Sequence, residues 1–458
     1  MDERVLGYRF ALDLNYSQRT AALSHVGARR FAFNHMLALV KAILDQRDSE
    51  RSYGVEAELL TPGLDWSAYG LLKRWNAEKY ASAPWWSENS KEAYADGCRR
   101  LADGLSNWVG VRRGTRKGKI GFPRFAARRS RQSVTFTTGS IRVNDRRHIV
   151  LPRLGRLRTF EDTTRLSTLI EAGQARISRA TLSFNRGRWF VSFTVHQLVY
   201  HRATKPRWSG AVGIDLGVKN LLVIADQEGR ELARISAPRH LAEAQRRLRA
   251  LQRKASRQIG PWDPATNRHQ DPSSRWQRTQ SRISQKHARV ANLREDFLHK
   301  TTSRIVNLYE NIVIEDLNVS GMTAAGGAHK RGLNRALKDA SFATVATMLT
   351  YKTRWARGTI TRADRFFPSS KTCSRCGTVK TKLLLSERTF WCEECNLEID
   401  RDLNAAINLA CYTAGTPARV PGPNTSGATR KTDLASAGGE EAGEPVSAGA
   451  PPRKRRLH

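Results

Sequence analysis

Residues 211–236 read AVGIDLGVKNLLVIADQEGRELARIS. Short apolar runs broken by Gly- and Asp-containing turns spell three strands, the opening of an α/β domain. A Pro- and Trp-containing stretch, HRATKPRWSG (201–210), leads into it. Beyond it, Leu241, Ala244, Leu248 and Leu251 form one stripe while Arg246, Arg249, Arg253 and Arg257 lie off it, the pattern of an amphipathic helix. A second basic helix is expected over about Ser274–Asn307, with Trp276, Ile283, Val290, Leu293 and Phe297 turned inward. Either helix alone reads as a solvated charged face.

Three acids stand where chemistry would place them. Asp215 sits in the strand GIDLG, Glu315 ends the strand of IVIEDLN, and Asp402 opens the helix of DRDLNAAINLA. Each has an ordinary explanation: a turn residue, a solvated strand end, a carboxylate at a helix N-terminus shared with Asp400. Carboxylates gathered from separate segments repel unless cations lie between them, and hard oxygen donors select Mg²⁺ or Mn²⁺.

Four of six cysteines fall within 23 residues. Cys373-x2-Cys376, fifteen residues, then Cys392-x2-Cys395 offers four thiolates on two turns, the donor set of a closed tetrahedral Zn²⁺ site. A closed shell leaves no position for water, so this zinc is structural. Gly377 suits the first turn, and Phe390 and Trp391 are expected to cover the second pair. Two redox pairs are the alternative, without thioredoxin-like surroundings to favour them. Cys98 and Cys411 stand alone and read as small buried hydrophobes.

In the first half, GYRFALDLN (7–15) alternates like a strand, and helical spacing follows over Ser17–Ala42, Trp66–Trp75 and Ser90–Val109. Residues 111–131, VRRGTRKGKIGFPRFAARRSR, hold nine basic residues and no acid, with Gly and Pro breaking any helix: a basic loop. Strand-like pieces come next, SVTFTTGSIRV, HIVLP and ISRATLSFNRGRWFVSFTVHQ, with a hairpin turn at Asn185–Gly187. If the first strand joins this sheet, the helices are an insertion in a β domain. Residues 412–458, rich in Ala, Gly, Pro, Ser and Thr, read as disordered.

Across 458 residues, 78 Lys and Arg face 42 Asp and Glu, a formal charge of +36 that a polyanion would offset. Apolar residues at 40%, with 11 Trp and 15 Phe, exclude a disordered basic tail. No apolar run approaches the roughly 20 residues that cross a bilayer, and MDERVLGYRF lacks a secretory stretch, so a cytoplasmic protein is expected.

GIDLGVKN, IVIEDLNVSGM, PSSKTCSRCG and RDLNAAINLA, in that order, resemble the TnpB family of transposon-encoded RNA-guided nucleases and compact type V CRISPR effectors. FLHKTTSRIV, NRALKDASF and GFPRF extend the likeness over most of residues 5–411. The resemblance implies a multidomain α+β protein: a β-barrel wedge domain (1–17 plus 112–205) with a helical recognition insert (18–111), then an RNase H-like RuvC domain (206–365 plus 397–411). A four-cysteine zinc module that binds target nucleic acid (366–396) interrupts the latter. It also implies that Asp215, Glu315 and Asp402 hold two Mg²⁺ for DNA cleavage, the family's RDxNAA pattern selecting Asp402 over Asp400. Partners would be a guide RNA and double-stranded DNA beside a short flanking motif, with no membrane and the oligomeric state open. From charge and placement, phosphate contacts are expected at Arg112, Arg113, Lys117, Lys119, Arg124, Arg246, Arg249 and Arg253. GPWDPATNRHQDPSSRW (260–276) and the tail have no counterpart in the matched motifs. Two other classes fit the same acids: a guide-dependent repressor with little or no cleavage, and a transposase.

Overall fold

The computed structural model describes residues 2–128, 130–199, 207–269, 272–324, 327, 330–384 and 387–412. Apart from Tyr412, the tail expected to be disordered lies outside the described residues. The chain divides into two units, Met1–Arg202 and Ala203–His458.

In the first unit, β1 (Asp2–Asp13) runs into Asn15, which caps α1 (Tyr16–Ser52). Asn15 Oδ1 accepts from the Gln18 nitrogen at 2.9 Å and Gln18 Oε1 accepts from the Asn15 nitrogen at 3.1 Å, a reciprocal box that satisfies two otherwise free N–H groups. Next come α2 (Ala68–Ser82) and α3 (Lys91–Arg112), locked by Trp75 stacked on Tyr94 with centroids 5.0 Å apart. Among its described residues the basic loop after Arg112 contains no helix, yet it is pinned: Asn34 pairs with Ala126 through its amide oxygen at 2.7 Å and its amide nitrogen at 3.1 Å. Then follow β2 (Ser133–Phe136), β3 (Arg142–Asp145), β4 (His148–Leu151), β5 (Gly155–Thr159), α4 (Thr164–Glu171), β6 (Ala175–Asn185) and β7 (Arg188–Val199). The seven-stranded sheet has the order β2-β6-β7-β1-β5-β4-β3, so the opening strand lies between strands that arrive only after the helices. Arg186 and Gly187, both at positive φ, make the two-residue turn between β6 and β7. Helices and sheet share one core, in which Val26, Cys98 and Leu101 join Val134, Phe136 and Leu182.

The second unit opens with β8 (Trp208–Asp215), β9 (Asn220–Asp226) and β10 (Glu231–Ser236), an antiparallel meander. The basic helices α5 (His240–Arg257) and α6 (Ser274–Leu308) pack through Leu248, Ala255 and Ile283, with the short strands β11 (Trp262–Asp263) and β12 (Arg268–His269) between them in sequence. Strand β13 (Tyr309–Glu315) pairs parallel to β8. After α7 (Val319–Met322), α8 (Lys330–Ala340) and α9 (Phe342–Trp355), β14 (Thr359–Ala363) pairs parallel to β13. Beyond the small pair β15 (Thr389–Trp391) and β16 (Glu398–Asp400), α10 (Arg401–Ala410) returns to the sheet, whose order is β10-β9-β8-β13-β14.

Alternation along the strands assigns the two faces. Val212, Ile214, Ile312 and Ile314 point into a core with Leu298 and Ile305 of α6 and Phe342, Val345 and Leu349 of α9. Opposite faces follow for Gly213, Asp215, Val313 and Glu315. On that side Ala406, Ile407 and Leu409 of α10 pack on Val223, Ala225 and Val313. A Cβ built on Gly213 would run into the Ala406 carbonyl and the Ala410 nitrogen, so glycine alone lets α10 lie this close.

One inward position read from periodicity is corrected. Leu293 is 44% exposed and Leu298 is buried instead, because α6 changes partner along its length, from α5 near Ile283 to the sheet near Leu298. Among the described residues no helix is long and apolar enough to cross a membrane. Gly213→Val should cost the second unit more than the about 1–3 kcal/mol of an ordinary overpacked core, because the obstruction is backbone. Thermal unfolding measures this, and an unchanged midpoint would contradict the close approach.

Candidate active site and four-cysteine metal centre

Asp215 and Glu315 end the adjacent parallel strands β8 and β13, whose register matches Ile214 with Ile314. Asp402 lies in the first turn of α10, on the same face of the sheet. Asp215 and Glu315 are half-buried and Asp402 is 8% exposed. Burial lifts the Asp215 carboxyl well above the usual carboxylate range; the negative charges of Glu315 and Asp402 push it further, and Arg401 opposes them. Asp215 is therefore near enough to both other acids to feel their charge. Among the described residues, the four cysteines form a donor group whose atoms all lie within 4.8 Å of one another.

Neighbouring acids are engaged elsewhere. Asp316 pairs with Arg365 at 2.7 Å and Arg362 at 3.7 Å. Asp400 caps α10 by accepting from the Leu403 nitrogen at 3.0 Å and pairs with Arg234 at 3.2 Å. By contrast, neither Asp215 nor Glu315 has an ion pair among the described residues, and Asp402 meets only Arg401, at 3.4 Å. The Ser369 hydroxyl donates to Glu315 Oε1. Gly217, beside Asp215, is required by the turn itself: a Cβ there would stand 2.7 Å from the Asn220 carbonyl oxygen.

The cysteine group is compact. Cys373 and Cys395 sulfurs are 3.5 Å apart, as are those of Cys376 and Cys392, close to the about 3.8 Å edge of a tetrahedron of Zn–S bonds. Both turns are built alike. Gly377 and Asn396, each at positive φ directly after the second cysteine of its pair, return their N–H to the Cys373 and Cys392 carbonyls at 2.9 and 3.0 Å. These four cysteines could hold one zinc ion. Phe390 is fully buried against Cys373 and Cys392, but Trp391 is 48% exposed, since successive strand residues face opposite ways. Cys98 is buried and its thiol is pushed up to about 12 by that burial, whereas Cys411 is only half-buried.

Helix α10 also carries residues whose role the motif did not announce. Asn404 and Asn408, one turn apart and fully buried, hold the loop before the cysteines: both amide nitrogens donate to the Thr372 carbonyl at 2.7 Å. Their i, i+4 spacing in NAAIN is the signal that a polar stripe meets a partner. The eight expected phosphate contacts, Arg112, Arg113, Lys117, Lys119, Arg124, Arg246, Arg249 and Arg253, are all exposed, and none has an ion pair with a described acid.

A profile described as "Probable transposase", OrfB_IS605, matches residues 194–325, and one described as "Cas12f1-like, TNB domain" matches 342–409. A Mycobacterium tuberculosis protein (strain CDC 1551 / Oshkosh), provisionally named an RNA-guided DNA endonuclease, is 37% identical over 455 residues, 96% of this chain and 93% of that one. The chain belongs to the OrfB/TnpB family. An Escherichia coli K12 relative with the same provisional name is 26% identical over 419 residues, 89% of this chain and 92% of its own. Among solved structures, a Cas12f1–sgRNA–target DNA complex aligns with a TM-score of 0.46 at 13% identity, over 89% of this chain and 99% of that one. A further profile, "Helix-turn-helix domain", matches residues 1–48, which in this family member form β1 and most of the unbroken α1.

Purified protein should carry about one zinc per chain by elemental analysis. Cys392→Ser should lose it and lower the melting temperature; a variant with an unchanged melting temperature would deny the ion a structural part.

Proposed function

We propose that this chain is an RNA-guided DNA endonuclease that cuts target DNA beside a short flanking motif, with Asp215, Glu315 and Asp402 as its catalytic acids. The observation that carries the reading is that Asp215 and Glu315 end adjacent parallel strands and that the charges of both Glu315 and Asp402 act on Asp215, with Arg401 opposing them. The names of the relatives support guide RNA and target DNA as partners. On this reading the second unit is an RNase H-like RuvC domain, residues 366–396 are a target nucleic-acid-binding module around a structural zinc, and the first unit is a wedge domain with residues 18–111 as recognition insert.

The donor set suits two Mg²⁺ ions. Carboxylate oxygens are hard ligands of the kind Mg²⁺ prefers, and three of them from separate segments carry the charge that a pair of such ions would offset. When bound, Mg²⁺ supplies an acidified water and stabilises the leaving 3′ oxygen of the cut strand. The chain's own residues set up that chemistry. Asp215 and Glu315 are fixed by strand ends, Asp402 by a capped helix, and Ser369 occupies one Glu315 oxygen so that the other is free. Exposed cations on the basic loop and α5 bind phosphates, an attraction that weakens as salt rises.

Plasmid cleavage by protein with its copurified RNA tests this. Cutting should require Mg²⁺ and the RNA, and Asp215→Asn or Asp402→Asn should reduce it to background while RNA binding persists. Guide-directed binding without cutting would instead indicate a repressor, and joined strands a transposase.

The acids also set a pH dependence. Folding raises the Asp215 pKa, so this group's stabilisation is complete at low pH and declines as pH climbs through the raised value. A divalent cation relieves that loss by offsetting the charge. The rise in melting temperature caused by Mg²⁺ should therefore grow with pH above the usual carboxylate range. A rise that shrinks with pH would contradict the crowding.

A further inference from the structure

The loop that leads into the cysteines carries a connection to the acids that neither motif nor family profile assigns. Ser369 is 2% exposed, and its hydroxyl donates to Glu315 Oε1. Its carbonyl accepts from Asn408 Nδ2 at 2.7 Å, and the same nitrogen reaches the Thr372 carbonyl at 2.7 Å. Asn404 closes the other end, donating to the Thr372 carbonyl at 2.7 Å and accepting from the Ser374 nitrogen at 3.0 Å. Cys373, one of the four sulfurs, lies between those two anchors.

We propose that Ser369 is the positioning residue for the Glu315 carboxylate, held in place by the Asn404 and Asn408 side chains of the helix that also carries Asp402. The proposal rests on the metal-binding reading of the acids. Glu has three rotatable side-chain bonds and, at a strand end, little to choose among them. A buried hydroxyl on one oxygen selects an orientation and leaves the second oxygen for a cation, as outer partners do for ligating carboxylates. The serine itself cannot drift. Asn408 can present only its nitrogen to two carbonyls, because a flipped amide would set oxygen against both, and this orientation persists although Asn408 Oδ1 is buried without a partner. One short loop thereby ties the first cysteine turn to Glu315, and one helix ties both to Asp402.

The test uses the full chain with its copurified RNA, comparing wild type, Ser369→Ala and Ser369→Thr. Binding of Mn²⁺ is read by electron paramagnetic resonance without DNA, and the Mg²⁺ concentration for half-maximal cleavage is read separately. Ser369→Ala should keep zinc and RNA but weaken Mn²⁺ binding and raise the Mg²⁺ requirement, each about 10- to 100-fold, the usual cost of losing such a partner. Saturating Mg²⁺ should recover most of the cleavage, and Ser369→Thr, which restores a hydroxyl, should restore wild-type metal affinity. Wild-type Mn²⁺ affinity in a zinc-loaded Ser369→Ala protein would overturn the proposal. If Ser369→Ala loses its zinc, Ser369→Cys keeps the volume with a much weaker donor, and normal Mn²⁺ affinity there overturns it equally. A wild-type protein that binds Mn²⁺ but never cuts would sink the nuclease reading instead, and leave the positioning test standing on Mn²⁺ affinity alone.

Discussion

The close seating of α10 on β8 is the constraint from which the site follows. Backbone meets backbone across Gly213, and the helix therefore enters the sheet at a fixed height and angle. Its first turn then stands beside the ends of β8 and β13, where alternation has already turned Asp215 and Glu315 to the same side. Three carboxylates that lie far apart in sequence become neighbours through the packing of Ala406, Ile407 and Leu409, none of which has any chemistry of its own.

That assembly has an electrostatic cost, and the pattern of ion pairs shows where it is left uncompensated. Arginines answer Asp316 and Asp400, the acids on either side of the site, while among the described residues Asp215 and Glu315 have no ion pair and Asp402 has Arg401. A chain with 78 basic residues does not lack cations to place there. Buried like charges are tolerated in folded proteins chiefly where function requires them.

Much of this was legible in the residues. The short apolar run of AVGIDLGV placed Asp215 in a strand, the two CxxC turns drew the four sulfurs together, and the stripe on α5 identified its packing face, because each signal is local. What the pattern missed depended on partners distant in sequence. Leu293 follows the same spacing as Val290, yet α6 serves two cores in succession and its buried stripe rotates between them. Strand β5, GRLRT, carries two arginines in five residues and is a strand only because β1 and β4 pair with it on either side. Ser369 lies inside PSSKTCSRCG but is chemically mute there, since a serine reveals an acceptor only once the fold supplies one.

The cysteine module and the acids look like separate inventions in the sequence, one for zinc and one for phosphate. Their junction argues otherwise. Asn404 and Asn408 are buried amides, costly to desolvate, and on a helix that only had to cover a sheet, alanine or leucine would serve better. Instead they direct their donors to the carbonyls of Ser369 and Thr372, whose loop meets Glu315 at one end and Cys373 at the other. A buried polar ladder of this kind fixes relative position more sharply than apolar contact, because each bond has a direction and each failure leaves an orphaned group. Order in the sulfur cluster and order among the carboxylates are then the same property of one folded unit.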